Sequence, residues 1–260
     1  LRILAICLSL FVLVHAACGD DEKPGSGAYE TDRPGEVENP FTLPPGGVEW
    51  VTYLVAANAP AREDLFGSGG SAVFVDTAIR FGLARNLEGG VTIDGFLAAN
   101  SRQGSGTGVG YGTLLAKWNL MKGETGDSGI ALAPFVRLPI ERTIGGTSRA
   151  EYGVIAPFDL ELEGGWELQG STGITRAPEG VSEWSTQWEN QVSLERALTA
   201  RATAYLEIQL ESGKGPSAWS TEFGVTYRLS PRALMDFGGS AGIGRDSRGR
   251  MGYAGVGWGF

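Results

Sequence analysis

Hydrolytic or metal chemistry would call on histidine, cysteine or closely spaced carboxylates, and this chain is poor in the first two. Its single histidine, His15, lies in an apolar N-terminal run; Cys7 lies in the same run and Cys18 just beyond it. Once that run is removed, no Ser-His-Asp or Cys-His arrangement remains for nucleophilic attack. Nor does a histidine remain for zinc or iron. With at most Cys18 left, an internal disulfide is excluded. Gly104-Ser105-Gly106-Thr107-Gly108 has the composition of a phosphate loop, but no Lys-Ser/Thr follows and the next segment reads as a strand, so it is expected to be an extracellular loop. Arg245-Asp246-Ser247-Arg248 carries one acid between two arginines, which is no calcium loop. Asp159 and Glu161 share a face at the spacing of a strand, and pore lining explains them more simply than a glycosidase pair. No enzyme, cofactor or metal is expected.

What the charges do have is a period of two. Asp76, Arg80, Asp94, Lys117, Arg137, Glu151, Asp159, Glu161, Glu167, Glu189, Arg201, Glu207, Glu222, Arg228 and Asp236 fall on the polar face of alternating segments. In the clearest case Ala200, Ala202, Ala204, Leu206, Ile208 and Leu210 oppose Arg201, Thr203, Tyr205, Glu207 and Gln209. Such alternation is the mark of a strand with two different faces. Twelve segments show it, at roughly 47–57, 71–84, 87–98, 108–120, 128–139, 151–162, 165–176, 183–194, 198–210, 218–229, 233–243 and 251–260. The first is apolar on both faces, so its inside and outside stay open. Twelve strands close a barrel too wide to fill with apolar side chains. The charged face must then be the lumen, because an Arg or Lys in hydrocarbon costs about 2–4 kcal/mol at the midplane. The fold class is therefore all-β: a transmembrane antiparallel up-and-down barrel.

Connections and aromatics agree. Links after odd strands are mostly long (Asn58 to Gly70, Ala99 to Thr107, Arg142 to Ala150, Ala177 to Val181, Ser212 to Ser217, Gly244 to Arg250), whereas Arg85-Asn86, Glu163-Gly164, Glu195 to Ala197 and Ser230 to Arg232 are tight, with Lys122 to Asp127 the exception. Long loops at one end and short, periplasmic turns at the other are the habit of outer-membrane barrels. Trp50, Trp118, Trp166 and Trp258 fall near one set of strand ends, Trp184 and Trp219 near the other, as interfacial indoles do. The last strand, with Ala254, Val256 and Trp258 alternating to a terminal Phe260, resembles the barrel-assembly signal of outer-membrane proteins.

Ahead of the barrel, Ile3 to Val14 is an apolar run of signal-peptide length following Arg2. Residues 1–17 are read as an export signal. Val14-His15-Ala16 suits ordinary cleavage; His15-Ala16-Ala17-Cys18 resembles a lipoprotein site with Cys18 as the lipidated residue, although His15 stands where an aliphatic is usual. Residues 18–46 are polar and Pro/Gly-rich, and are expected to form a disordered, loosely tethered periplasmic leader before the barrel of residues 47–260. The balance of 21 Lys+Arg against 30 Asp+Glu excludes a basic nucleic-acid surface.

Thr31-Asp32-Arg33-Pro34-Gly35, Thr42-Leu43-Pro44-Pro45-Gly46 before a first strand bearing Glu49, the hairpin Arg80 to Glu88, and the closing strands from Leu229-Ser230-Pro231 together resemble an outer-membrane "transporter" family labelled MetA-pathway of phenol degradation. The resemblance covers residues 31–260 and rests on structural motifs. It implies an outer-membrane barrel with a role in passage of small molecules, aromatic or hydrophobic ones among the candidates. The expected function is passive passage through a polar, net-acidic lumen favouring cations or neutral solutes. The alternative is a non-conducting scaffold or surface-exposed binding protein. Expected partners are outer-membrane lipid, the barrel-assembly machinery and an unspecified small solute, with no nucleic acid.

Overall fold

The computed structural model describes residues 38–58, 71–101, 104–122, 128–140, 149–179, 183–213, 215–244 and 249–260. The signal, Cys18 and Arg245–Arg248 lie outside these residues.

Thirteen strand segments form one antiparallel sheet: β1 (Val48–Asn58), β2 (Ser71–Ala84), β3 (Leu87–Ser101), β4 (Gly104–Val109), β5 (Tyr111–Lys122), β6 (Gly129–Pro139), β7 (Glu151–Leu162), β8 (Trp166–Glu179), β9 (Glu183–Ala197), β10 (Ala202–Ser212), β11 (Ala218–Ser230), β12 (Ala233–Ile243) and β13 (Arg250–Gly259). β4 and β5 both pair with β3, above and below Gly110, so they are two halves of one stave and the ring has twelve. The halves part because Asp94 diverts the chain: Gly110 N–H donates to the Asp94 carbonyl at 3.0 Å and Tyr111 N–H to the Asp94 carboxylate at 3.2 Å. β13 pairs with β1 to close the ring, Trp50 directly opposite Trp258. Closure leaves no strand edge, which a sheet in hydrocarbon requires.

The alternation seen in the sequence sorts onto two surfaces. Leu114, Trp118 and Leu120 of β5 are exposed and Lys117 between them is buried; Leu206 and Ile208 of β10 are exposed beside buried Tyr205, Glu207 and Gln209. Apolar outside and polar inside inverts the usual soluble arrangement and suits a lipid surround. For β1 the structure decides what the sequence left open: Glu49 and Val51 are buried, Trp50 and Leu54 exposed.

Prolines mark the gaps in the ladder. Pro134 stands where the β5–β6 pairing skips from Leu115↔Phe135 to Trp118↔Leu132. Pro157 stands where β6–β7 skips from Ile130↔Phe158 to Ala133↔Ile155. A residue with no N–H is tolerated where no ladder bond is asked of it.

Two expectations are corrected. Gly104 to Gly108 is no loop: β4 continues the β3 hairpin, with Gly104 opposite Ser101. Backbone pairing with β3 outweighs the low strand propensity of glycine and lengthens both strands beyond the predicted 99–107 loop. Likewise the turn between β9 and β10 is not Glu195 to Ala197, which are strand residues, but residues 198–201. There Leu198 N–H and Thr199 N–H donate to the Ala202 carbonyl, and the Thr199 hydroxyl accepts from the N–H groups of Arg201 and Ala202. A threonine closing its own turn is a local side-chain bond that strand alternation does not reveal.

Candidate functional site

Proline-rich backbone has few donors, so a short run of it can enter a barrel if the walls supply partners for its carbonyls. Residues 38–46 do this at the end of the barrel that carries the short turns. Asn39, Pro40 and Leu43 are buried. The Asn39 carbonyl accepts from Lys117 Nζ (3.3 Å), the Pro40 carbonyl from Asn119 Nδ2 (2.8 Å), and Leu43 N–H donates to Glu88 Oε2 (2.9 Å). Gly46 N–H donates to the Gly82 carbonyl at 2.9 Å, and Gly82 N–H to the Gly47 carbonyl at 2.9 Å. A Cβ on Gly82 would stand 2.0 Å from the Pro44 carbonyl oxygen, so only glycine permits this approach. The expected disordered leader is thus corrected for residues 38–46, which are tied to β2, β3 and β5; residues 18–37 lie outside the described structure.

Beneath this inturned segment is a buried ionic cluster. Arg80 meets Glu38 at 3.2 Å, Glu88 at 3.5 Å and Glu49 at 3.8 Å, and Lys117 meets Glu88 at 3.5 Å. Glu49, Glu88 and Lys117 are each 1% exposed. Burial pushes the Glu38 carboxyl above its ordinary range, with Lys117 pulling it back and Glu88 adding to the rise. Removing one partner of such a cluster leaves buried charge uncompensated, at about 3–5 kcal/mol.

On the far side of Glu38 a cavity of about 870 Å³ is lined chiefly by β6 to β10. A belt of hydrogen bonds crosses this wall. Ser171 donates to the Gln191 amide oxygen (3.0 Å) and Ser220 to that of Gln209 (2.9 Å), while both amide nitrogens donate to one oxygen of Glu189, at 3.1 and 2.6 Å. Glu189 is the hub of this belt, its Oε1 accepting both amide bonds. Arg137 faces the same cavity, paired with Glu151 at 3.3 Å and flanked by the rings of Phe135 and Tyr111 at 5.9 and 6.0 Å. Elsewhere Tyr205 donates to Asp236 (3.3 Å) and Tyr253 to Glu222 (2.7 Å), where a Cβ on Gly224 or Gly238 would collide with the respective hydroxyl.

A family model described as "Putative MetA-pathway of phenol degradation" matches residues 31–260. The chain belongs to this family. No curated protein matches it. Among solved structures it is similar to an outer membrane channel from Pseudomonas putida F1, at TM-score 0.68 and 11% identity over 88% of this chain and 99% of that one. It is also similar to the NanC porin (0.58; 7% identity; 80% and 98% covered) and to the beta domain of the Bordetella autotransporter BrkA (0.52; 13%; 83% and 100%). These likenesses show that the family member has the fold of the outer-membrane β-barrels.

Within that barrel the predicted charges separate into groups. Arg80 and Lys117 lie in the cluster beneath the inturned segment; Arg137 and Glu189 line the cavity. Asp159, Glu207, Glu222 and Asp236 are buried in the wall, Glu207 directly opposite Glu222. Asp76 and Asp94 are partly buried and face each other across β2 and β3. Glu161 is exposed opposite Glu167 near the β7–β8 turn, and Arg201 and Arg228 sit at the neighbouring turns. Ala254, Val256 and Trp258 share the outward face of β13, and Phe260 is exposed beyond it with its N–H bonded to the Val48 carbonyl at 2.8 Å. Sequence reasoning missed Glu38, Glu49, Glu88 and Glu195. Glu88 and Glu195 do sit on the polar face of their strands, a signal that was available; Glu49 lies on the strand with no polar face. It also missed the uncharged belt of Ser171, Gln191, Gln209 and Ser220, since amides and hydroxyls stand out less than charges.

Proposed function

We propose that this protein is a channel of the bacterial outer membrane that passes small molecules through a polar, net-acidic interior. One observation carries the reading: a closed ring of twelve staves encloses a polar cavity of about 870 Å³ rather than a packed core. Among the described residues of that lining, Glu38, Glu179, Glu189 and Glu211 stand against Arg137, a balance that disfavours anions. The channel and porin among its structural likenesses support the same reading, and the phenol-degradation family points to aromatic solutes. On this reading the chain catalyses nothing, and the barrel-assembly machinery inserts it by way of the strand bearing Ala254, Val256, Trp258 and Phe260.

The test is electrical. Refolded protein in a planar bilayer under a KCl gradient is expected to conduct with a reversal potential favouring potassium. Anion preference overturns the acidic-lumen reading, and absence of current and of solute flux both with and without residues 38–46 overturns the channel. A second reading, a barrel that does not conduct, is favoured by the segment 38–46 lying in one mouth. Removing that segment separates the two, because a plugged channel gains conductance and a scaffold stays silent.

A further inference from the structure

From β7 to β9 the pairing runs without a shift, so alternate residues face in and out across all three strands. Asp159, Gln169 and Ser193 stand in one row and are buried, whereas Leu160, Leu162, Val192 and Leu194 are exposed. Every carboxylate of these strands has the inward parity, and both of their arginines, Arg176 and Arg196, have the outward one. Charge is thus sorted by sign across this wall. The two arginines stand at opposite ends of it. Arg196 lies over the Trp166 ring at 4.8 Å, beside the short β7–β8 turn. Arg176 shares a row with Tyr152 and Thr186 and donates to the Thr186 hydroxyl at 2.7 Å. Tyr152 packs on Trp184 with ring centroids 5.7 Å apart. Arg149 lies over that Trp184 ring at 4.3 Å and donates to the Glu183 carbonyl at 3.2 Å. Two guanidiniums therefore flank one pair of outward rings.

Their height follows from strand geometry. A rise of about 3.4 Å per residue at a tilt of about 40° puts Arg176 and Trp184 about 25–30 Å from Trp166 and Arg196, just past an apolar band of about 25 Å. Within the band the outward polar side chains Thr172 and Asn190 bond to each other at 2.9 Å, as hydrocarbon demands. Past it lie the phosphates of the lipid headgroups, and a planar guanidinium meets a phosphate through two parallel N–H bonds.

We propose that the outer rim of β7–β9 binds a phosphorylated lipid of the outer leaflet, its phosphate at Arg176 and Arg149 and its acyl chains along exposed Trp188, Val192 and Leu194. The Tyr152–Trp184 pair marks the interface at which the headgroup sits. With the strand carboxylates turned to the lumen, the outward face offers the phosphate attraction without repulsion. The inference rests on the outer-membrane reading, with the short turns toward the periplasm.

The probe is diphosphorylated lipid A, compared with the same lipid stripped of its phosphates and with inorganic phosphate, each added to the full chain in detergent and read by native mass spectrometry. The phosphorylated lipid is expected to bind about twentyfold more tightly than the stripped one, at about fivefold for each arginine. Inorganic phosphate, with no acyl chains, is expected neither to bind nor to displace it. Arg176→Met is expected to lower the preference about fivefold, and Arg149→Met/Arg176→Met to erase it, with the heat-modifiable gel shift unchanged. Arg196→Met, at the other rim, is expected to leave it intact. Equal binding of the two lipids, a preference that survives the double variant, or an equal loss in Arg196→Met overturns the site. Displacement of the lipid by inorganic phosphate overturns it as a lipid site. If the double variant fails to fold, Arg176→Met and the two lipids on the unaltered chain decide. A chain with no heat-modifiable shift in lipid overturns the membrane reading and the site with it; a barrel that inserts and conducts but holds both lipids equally overturns the site alone.

Discussion

Arg80 ties the inturned segment to the barrel wall through Glu38. It holds Glu38, Glu49 and Glu88 together, and Lys117 pairs with Glu88 beside it. Changing Arg80→Met is expected to destabilise the barrel by about 3–5 kcal/mol, the cost of breaking a buried ionic group, and to raise conductance by freeing residues 38–46. Urea unfolding followed by tryptophan fluorescence measures the first, and single-channel current the second; an unchanged current would show that Arg80 does not seat the segment. These charges were legible in part. Arg80 and Lys117 stand out on polar strand faces, whereas Glu49 sits among apolar neighbours on both faces of β1, and only the neighbouring strands show which way it points. Glu38 was invisible as a site residue because nothing in a polar leader says that it folds inward.

At the level of strands, glycines opposite aromatics do what alternation alone cannot. Tyr205 faces Gly224 across β10–β11 and Tyr253 faces Gly238 across β12–β13, and in each case the ring lies over the space a Cβ would take. Gly238→Ala is expected to destabilise by about 1–3 kcal/mol, the usual cost of overpacking, because the new methyl would meet the Tyr253 hydroxyl, its ring Cζ and the Phe223 carbonyl oxygen. Denaturation midpoints of the two proteins check this. Gly82→Ala is a different experiment, since its methyl would meet the Pro44 backbone rather than a flexible tip. It is expected to displace residues 38–46 and raise conductance while the folded barrel keeps its gel mobility. Strand positions were readable almost throughout, because a period of two repeats locally. The β9–β10 turn and the extension of β3 into β4 were misread, since turn bonds and pairing partners are set by the adjoining strand.

For the whole molecule, two surfaces and one opening matter. The outward face carries Leu206 near the middle of β10, and Leu206→Arg is expected to cost about 2–4 kcal/mol as a charge entering the bilayer midplane. Refolding into lipid, scored by gel mobility against urea concentration, measures it; a neutral outcome would place that face away from hydrocarbon. Deleting residues 38–46 is expected to raise conductance severalfold with ion preference unchanged, since Glu189 and Glu211 stay in the wall. The amino-acid sequence by itself determined the barrel, its twelve staves and which face of most of them is polar, because each strand must satisfy the same alternation wherever its partners lie. It also carried the family, through motifs spread between residues 31 and 260. Only the tertiary structure decided how β1 is turned, that residues 38–46 enter the barrel, and that Ser171, Gln191, Glu189, Gln209 and Ser220 form one belt. Each of these depends on groups brought together from distant strands, and a local period carries no information about which distant groups will meet.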